Sequence, residues 1–293
     1  MRSIPTITKN LLIINILAYF LTYVLEMQGI NLNSMLGLHF FMASKFEVYQ
    51  LFTYMFLHGG FQHLFFNMFA LWMFGCVVER TWGGKKFLFY YISCGMGAGL
   101  IQELAQFARY SMDGLGNYQQ VMLDSVQTMP MDMYLNMWTT VGASGAIYGI
   151  LLAFGMLYPE NRIFIFPFPV PIKAKWFVVI YAAIELFMAL TTSGDGVAHV
   201  AHLGGMLFGF LMIKYWNNQK FYTEIKDDKK DKYHNPNMHV HQGDGEKKRD
   251  WDFNLQKKKK QAEIDAILDK IRRSGYESLT EQEKQKLFDA SNK

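Results

Sequence analysis

Apolar residues fill the first two thirds of the chain in long, barely interrupted runs, with polar residues gathered between them. Six runs stand out, at roughly 10–26, 61–78, 87–108, 139–158, 176–191 and 197–216. Most approach the ~20 residues that a helix needs to cross ~30 Å of hydrocarbon. The pattern therefore predicts an all-α membrane protein with six transmembrane helices. The fifth run is short unless the preceding FPFPVPIKAK contributes to it. The first is too long for a signal peptide, and no small-residue cleavage site follows it.

Lysine and arginine near the run ends fix the expected orientation. With a cytoplasmic N-terminus, Arg2, Lys9, Arg80, Lys85, Lys86, Arg162, Lys173, Lys175 and Lys214 all lie inside, and only Lys45 and Arg109 lie outside. That asymmetry predicts six spans with both termini in the cytoplasm.

Charge then divides the chain. Up to Trp216 there are 11 Lys+Arg and 10 Asp+Glu, and the rest of the chain holds 18 and 15. The expected organisation is a six-span domain over 1–216, a charged flexible linker over 217–260 and a small cytoplasmic helical hairpin over 261–293. In the hairpin, Ile264, Ile267, Leu268 and Ile271 form an amphipathic stripe. Thr280 and Glu283 have capping-box spacing for its second helix. About thirty residues rarely make a stable core alone, so the hairpin is expected to dock on the membrane or on a cytoplasmic partner that the sequence does not name. Net charge of +4 is spread along the chain, with no basic face suited to nucleic acid. Cys76 and Cys94 read as buried free thiols.

Polar residues inside the apolar runs are few, and their depth is informative. In TTVGASGAIYGI, Ser144 lies five residues into the fourth run, roughly 8 Å deep at 1.5 Å per residue. VAHVAHLGGMLFG puts His202 five residues into the sixth run, and QHLFFNMFALWMFG puts His63 and Asn67 two and six residues into the second. All four share one band near the outer surface. Gly145 with Gly149, and Gly205 with Gly209, are GxxxG pairs that let helix backbones approach closely. His202 lies on the glycine face of its helix, within reach of Ser144 if the fourth and sixth runs pack there. A buried hydroxyl beside an imidazole is a nucleophile with its base. His63 and Asn67, one helical turn apart, are candidate donors to an oxyanion, with the Ser144 backbone N–H as a third.

Taken singly, each feature has a plainer explanation. A membrane-helix serine often bonds back to a carbonyl one turn earlier, and GxxxG is mostly packing. The coincidence of four polar residues from three runs favours chemistry. No carboxylate is expected beside His202, so the unit reads as a Ser–His dyad. His199, Glu103 and Glu185 read as structural, the two acids lying near outer helix ends with access to water.

GASGAIYG, AHLGGMLFG and HLFFNMFALWMFG, in that relation, resemble the rhomboid family of intramembrane serine proteases across residues 10–216. The resemblance implies a rhomboid-like bundle that cleaves the transmembrane segments of membrane proteins without metal or cofactor. Ser144 would be the nucleophile and His202 the base, with His63 and Asn67 supporting the oxyanion. Tyr148 would pack on the catalytic imidazole, and His58 would be structural. Glu79 and Arg80 match the family's Glu/Arg segment. The Trp-Arg pair that some members carry in the first loop is replaced by VYQLFTYMF. The expected setting is a bacterial cytoplasmic membrane, with the bilayer and single-span substrates as partners. The competing class is a silent rhomboid-like protein that binds client helices, against which the intact Ser, His and Asn set argues.

Overall fold

A computed structural model describes residues 3–122, 127–164, 171–191, 198–232, 266–267, 270–271 and 278–291. It is mostly helical. Helix α1 (Thr6–Glu26) leads to a first loop containing α2 (Leu32–Leu36), strand β1 (Leu38–His39) and α3 (Gln50–Thr53). Next comes α4 (Phe61–Ala70), which passes through a π-helical turn at Leu71–Gly75 into α5 (Cys76–Trp82). The 29-residue α6 (Gly84–Met112) follows. A second loop carries strands β2 (Gln120–Met122) and β3 (Thr128–Pro130), helix α7 (Met131–Asn136) and strand β4 (Thr139–Thr140). Beyond it lie α8 (Ser144–Leu157), the hairpin of β5 (Arg162–Phe164) and β6 (Pro171–Lys173), α9 (Ala174–Thr191) and α10 (His199–Lys232).

Among the described residues, three stretches are long and apolar enough to cross a membrane: Thr6–Glu26, Phe61–Trp82 and Ala174–Thr191. Their outward side chains are apolar too. Leu17 and Phe20 of α1, Phe65 and Phe66 of α4, and Phe187 and Leu190 of α9 are all more than half exposed. Rows of this kind are costly in water and suit a lipid solvent. Helix α8 is apolar but has only 14 residues. Its start differs from expectation, because residues 139–143 precede the helix and Ser144 is its first residue. The 8 Å depth, built on helical rise, therefore does not apply.

The physical cause is a set of partners for the backbone of that segment. Strand β4 pairs with β1 in antiparallel register, Leu38 with Thr140 and His39 with Thr139. Phe40 N–H donates to Trp138 O at 3.1 Å, and Gly142 N–H to Tyr54 O at 2.9 Å. These bonds draw on the first loop, which no local pattern in TTVGA reveals. The loop is itself well held. The buried Gln50 carboxamide accepts from His39 N and Glu47 N and donates to Lys45 O. Glu103 of α6 accepts from Phe41 N at 2.7 Å.

Two further carboxylates tie elements together at the ends of α5 and α8. Glu79 accepts from Ile7 N, Thr8 N and the Thr8 hydroxyl at 2.7–3.0 Å, capping α1 from another helix. Arg80 donates to Ser3 O. Exposed Glu160 faces Lys173 and Lys175, which hold its carboxyl down at about 2.

The core is built where α6, α8 and α10 meet. A Cβ on Gly145 would stand 2.4 Å from Ala98 Cβ, and one on Gly149 2.6 Å from Cys94 Sγ. A Cβ on Gly205 would fall 1.9 Å from Gly145 O, and one on Gly209 2.2 Å from the Tyr90 hydroxyl. The glycines thus seat α8 and α10 on each other and both on α6, so the packing unit has three helices where the spacing suggested two. Cys76 and Cys94 are buried free thiols.

The chain divides into two compact units, 1–225 and 226–293. Helix α10 extends through 217–232, the first part of the segment expected to be linker, and 233–260 lies outside the described residues. Most of the hairpin's first helix, including Ile264 and Leu268, is also outside them. Its second helix is Glu281–Ser291. There Glu283 N–H donates to Thr280 Oγ1 at 3.3 Å, and Thr280 N–H to Glu283 Oε2 at 2.8 Å.

Candidate active site

Ser144 heads α8, where the first backbone N–H groups of a helix have no intrahelical acceptor and carry the positive end of its dipole. Ile147 N–H bonds to Ala143 O, so the donors of Ser144, Gly145 and Ala146 precede that first bond. The serine hydroxyl lies 2.8 Å from His202 Nε2. His202 is buried on α10, one turn after Ala198, whose carbonyl its backbone N–H meets. The Tyr148 ring stacks on the imidazole with centroids 4.3 Å apart and planes 7° from parallel. Tyr148 can do this because it stands one turn after Ser144 on the same face of α8.

His63 approaches from α4. A Cβ on Gly142 would stand 2.8 Å from His63 Cε1, 2.9 Å from its Nε2 and 3.5 Å from Ser144 Oγ. Gly142 has φ +135°, a conformation that side chains rarely adopt, and its bare Cα leaves open the space between imidazole and hydroxyl. Asn67 is buried one turn further along α4, and one of its amide hydrogens goes to His63 O at 2.9 Å. His58, in the loop before α4, sits edge-on to His63 at 5.1 Å. Burial, helped by the neighbouring His63, pushes the His58 imidazole down to about 3, so it is neutral at any physiological pH.

One residue of the cluster departs from what the chain alone suggests. Glu185 of α9 is buried, and its Oε2 lies 2.9 Å from His202 Nδ1 and 2.7 Å from His199 Nδ1. The Tyr148 hydroxyl donates to its other oxygen. Glu103 is equally buried but serves the first loop. A carboxylate does therefore stand beside His202, and His199 belongs to the same cluster. The signal was available: Glu185 lies six residues from the outer end of its run and His202 five from that of the next. Equal depth was masked by reading the acid as wet.

The ligand atoms of Glu185, His199 and His202 lie within 4.8 Å of one another. The spacing favours hydrogen bonds over an ion. A tetrahedral ion with ~2.0 Å bonds would hold its ligands about 3.3 Å apart, whereas both imidazole nitrogens close on one oxygen at 2.7 and 2.9 Å.

A helical protein with apolar outer faces, in which a half-buried serine at the head of a helix meets a buried imidazole, belongs among membrane proteins with a hydrolase-type site. Comparison with known proteins narrows the class. The model of the rhomboid domain matches residues 45–218, more than half of the chain, and a second model, of a family of unknown function, matches 248–293. The chain belongs to the rhomboid family. It is 32% identical to rhomboid protease AarA of Providencia stuartii over 161 residues, 54% of this chain and 52% of that protein. It is 28% identical to rhomboid protease GluP of Bacillus subtilis over 216 residues, 70% of this chain and 34% of that protein. It is also 28% identical to the mitochondrial rhomboid protein 1 of Saccharomyces cerevisiae over 157 residues, 53% of this chain and 38% of that protein. The matched stretches thus span about half or less of these relatives.

Proposed function

We propose that this chain is an intramembrane serine endopeptidase that cuts transmembrane segments of other membrane proteins. The observation that carries the reading is the part-buried 2.8 Å contact between Ser144 Oγ and His202 Nε2 at the start of α8. In the proposed reaction the hydroxyl donates its proton to Nε2 as Oγ attacks the scissile carbonyl. Negative charge then develops on the carbonyl oxygen, beside the N–H donors at the head of α8 and the open space at Gly142 that His63 flanks. The remaining amide hydrogen of Asn67 is the further candidate donor. The imidazolium passes its proton to the leaving amine, the C–N bond breaks, and a water activated by the same imidazole releases the acyl group from Ser144.

The proposed arrangement has six spans, formed by α1, α4–α5, α6, α8, α9 and α10, with both termini in the cytoplasm of a bacterium. Lysine and arginine positions support it, as does the apolar outer surface. Ser144 then heads the outward end of α8, and substrates are cut toward the extracytoplasmic side. Ser144→Ala should abolish cleavage of a single-span substrate by purified protein while leaving thermal stability nearly unchanged. Cleavage retained by that variant would sink the proposal.

A further inference from the structure

We propose that Glu185 is the positioning residue for the catalytic imidazole, so that Ser144, His202 and Glu185 form a triad across α8, α10 and α9. The proposal rests on the serine-protease reading and extends it. An ionised carboxylate accepts hydrogen bonds and donates none. Glu185 receives three groups on its two oxygens, the Tyr148 hydroxyl on one and the His199 and His202 Nδ1 atoms on the other. Each Nδ1 must then carry the proton. For His202 this leaves Nε2 as an acceptor, and Nε2 is the nitrogen 2.8 Å from Ser144 Oγ. The carboxylate thus selects the tautomer that can act as a base.

The geometry also locks the ring. Imidazole rotation is blocked on one face by the stacked Tyr148, and Tyr148 is itself fixed through its hydroxyl on the same carboxylate. Glu185, Tyr148 and His202 therefore hold one another, and His199 completes the set of donors that keeps the carboxylate from turning away. When Ser144 gives up its proton, the imidazolium that forms lies directly beside a negative charge. Glu185 stabilises that charge and takes no proton itself, as in triads generally.

Replacing Glu185 with Gln keeps the shape and changes the logic. With its oxygen toward Tyr148, the new amide turns its NH2 toward both imidazoles and donates to Nδ1. His202 would then carry its proton on Nε2, facing Ser144, where it cannot act as a base. The corresponding change in a serine protease triad lowers kcat by about 10⁴. With Tyr148 free to accept from the amide in the opposite flip, a fall of roughly 10²–10⁴ is expected here.

The test uses the full-length protein in liposomes with a single-span substrate. Glu185→Gln should lower kcat by that factor and leave KM within about threefold, because the carboxylate is buried and its oxygens are occupied by Tyr148, His199 and His202. Glu185→Asp keeps the charge and should recover at least about tenfold over Gln. With nitrogen-15 labelled histidine, Ser144→Ala protein should show a downfield His202 Nδ1–H proton that Glu185→Gln lacks. A Glu185→Gln enzyme with near wild-type kcat would overturn the proposal. So would an Asp variant no better than Gln, or a downfield proton absent before any change at 185. Cleavage by Ser144→Ala would instead overturn the serine reading beneath it, so the two failures are distinguishable.

Discussion

Gly205→Ala adds one methyl group where α10 crosses α8. Its Cβ would fall 1.9 Å from Gly145 O and 2.7 Å from Gly145 C, both backbone atoms of the residue next to Ser144. No rotamer relieves such a contact. A carbon needs roughly 3.3 Å from a carbonyl oxygen, so the two helices must part locally by about 1.4 Å. If the shift passes along the helices, the Ser144–His202 separation grows from 2.8 Å to about 4.2 Å, beyond hydrogen-bond reach. Misplacement by about 1 Å can cost 10² in rate, and overpacking costs about 1–3 kcal/mol. Gly205→Ala should therefore cut kcat at least about 10²-fold and lower the melting temperature. The paired control is Gly59→Ala, whose Cβ would meet only Val141 Cγ2 at 3.9 Å. Both variants would be assayed on a fluorescent single-span substrate and for reaction with a fluorophosphonate. A Gly205→Ala enzyme with the control's kcat and melting temperature would refute the close approach of α8 and α10.

Four further outcomes are expected. Gly142→Ala should lose most activity, since its φ of +135° and the His63 ring 2.8 Å from the added carbon both oppose a side chain. His202→Ala should be nearly as inactive as Ser144→Ala, and the double variant barely worse, because members of one catalytic unit are non-additive in kinetic assay. Mass spectrometry of the two fragments should place the cut in the extracytoplasmic half of the substrate span, near small or helix-breaking residues that expose a carbonyl. Lys270, followed by the Thr280 groups, holds the Glu283 carboxyl down at about 2. The cap on the last helix should thus be at full strength above the usual ~4.3 and fade as pH falls through about 2, which amide-exchange protection at residues 281–284 would reveal.

Much of the candidate site is legible in the sequence because its signals are local. Glycines at fixed spacing around Ser144 and His202 announce close backbone approach, and polar residues at one depth announce a shared interior. The rest depended on contacts between distant segments. Residues 139–142 stay out of the helix because β1 and Tyr54 supply backbone partners, and an apolar run of threonine and valine does not reveal those partners. Glu185 was visible in the sequence, yet only packing of α9 against α8 and α10 turns a helix-end acid into a buried acceptor. The GxxxG pairs were read as one helix pair because spacing shows a face without showing how many neighbours share it. Ala98, Cys94 and Tyr90 supply the third helix.

The pairing of β4 with β1 joins residues about a hundred positions apart just upstream of Ser144, and His202 comes later still, on α10. Ribosomes extend a chain at roughly 5–20 residues per second. For several seconds after Ser144 is made, then, its hydroxyl lacks His202, the imidazole to which it hydrogen-bonds. Under the proposed reading the site is therefore inert at first: Ser144 emerges as an unactivated alcohol and meets its proposed base only when α10 docks. Insertion order would then act as an internal safety delay.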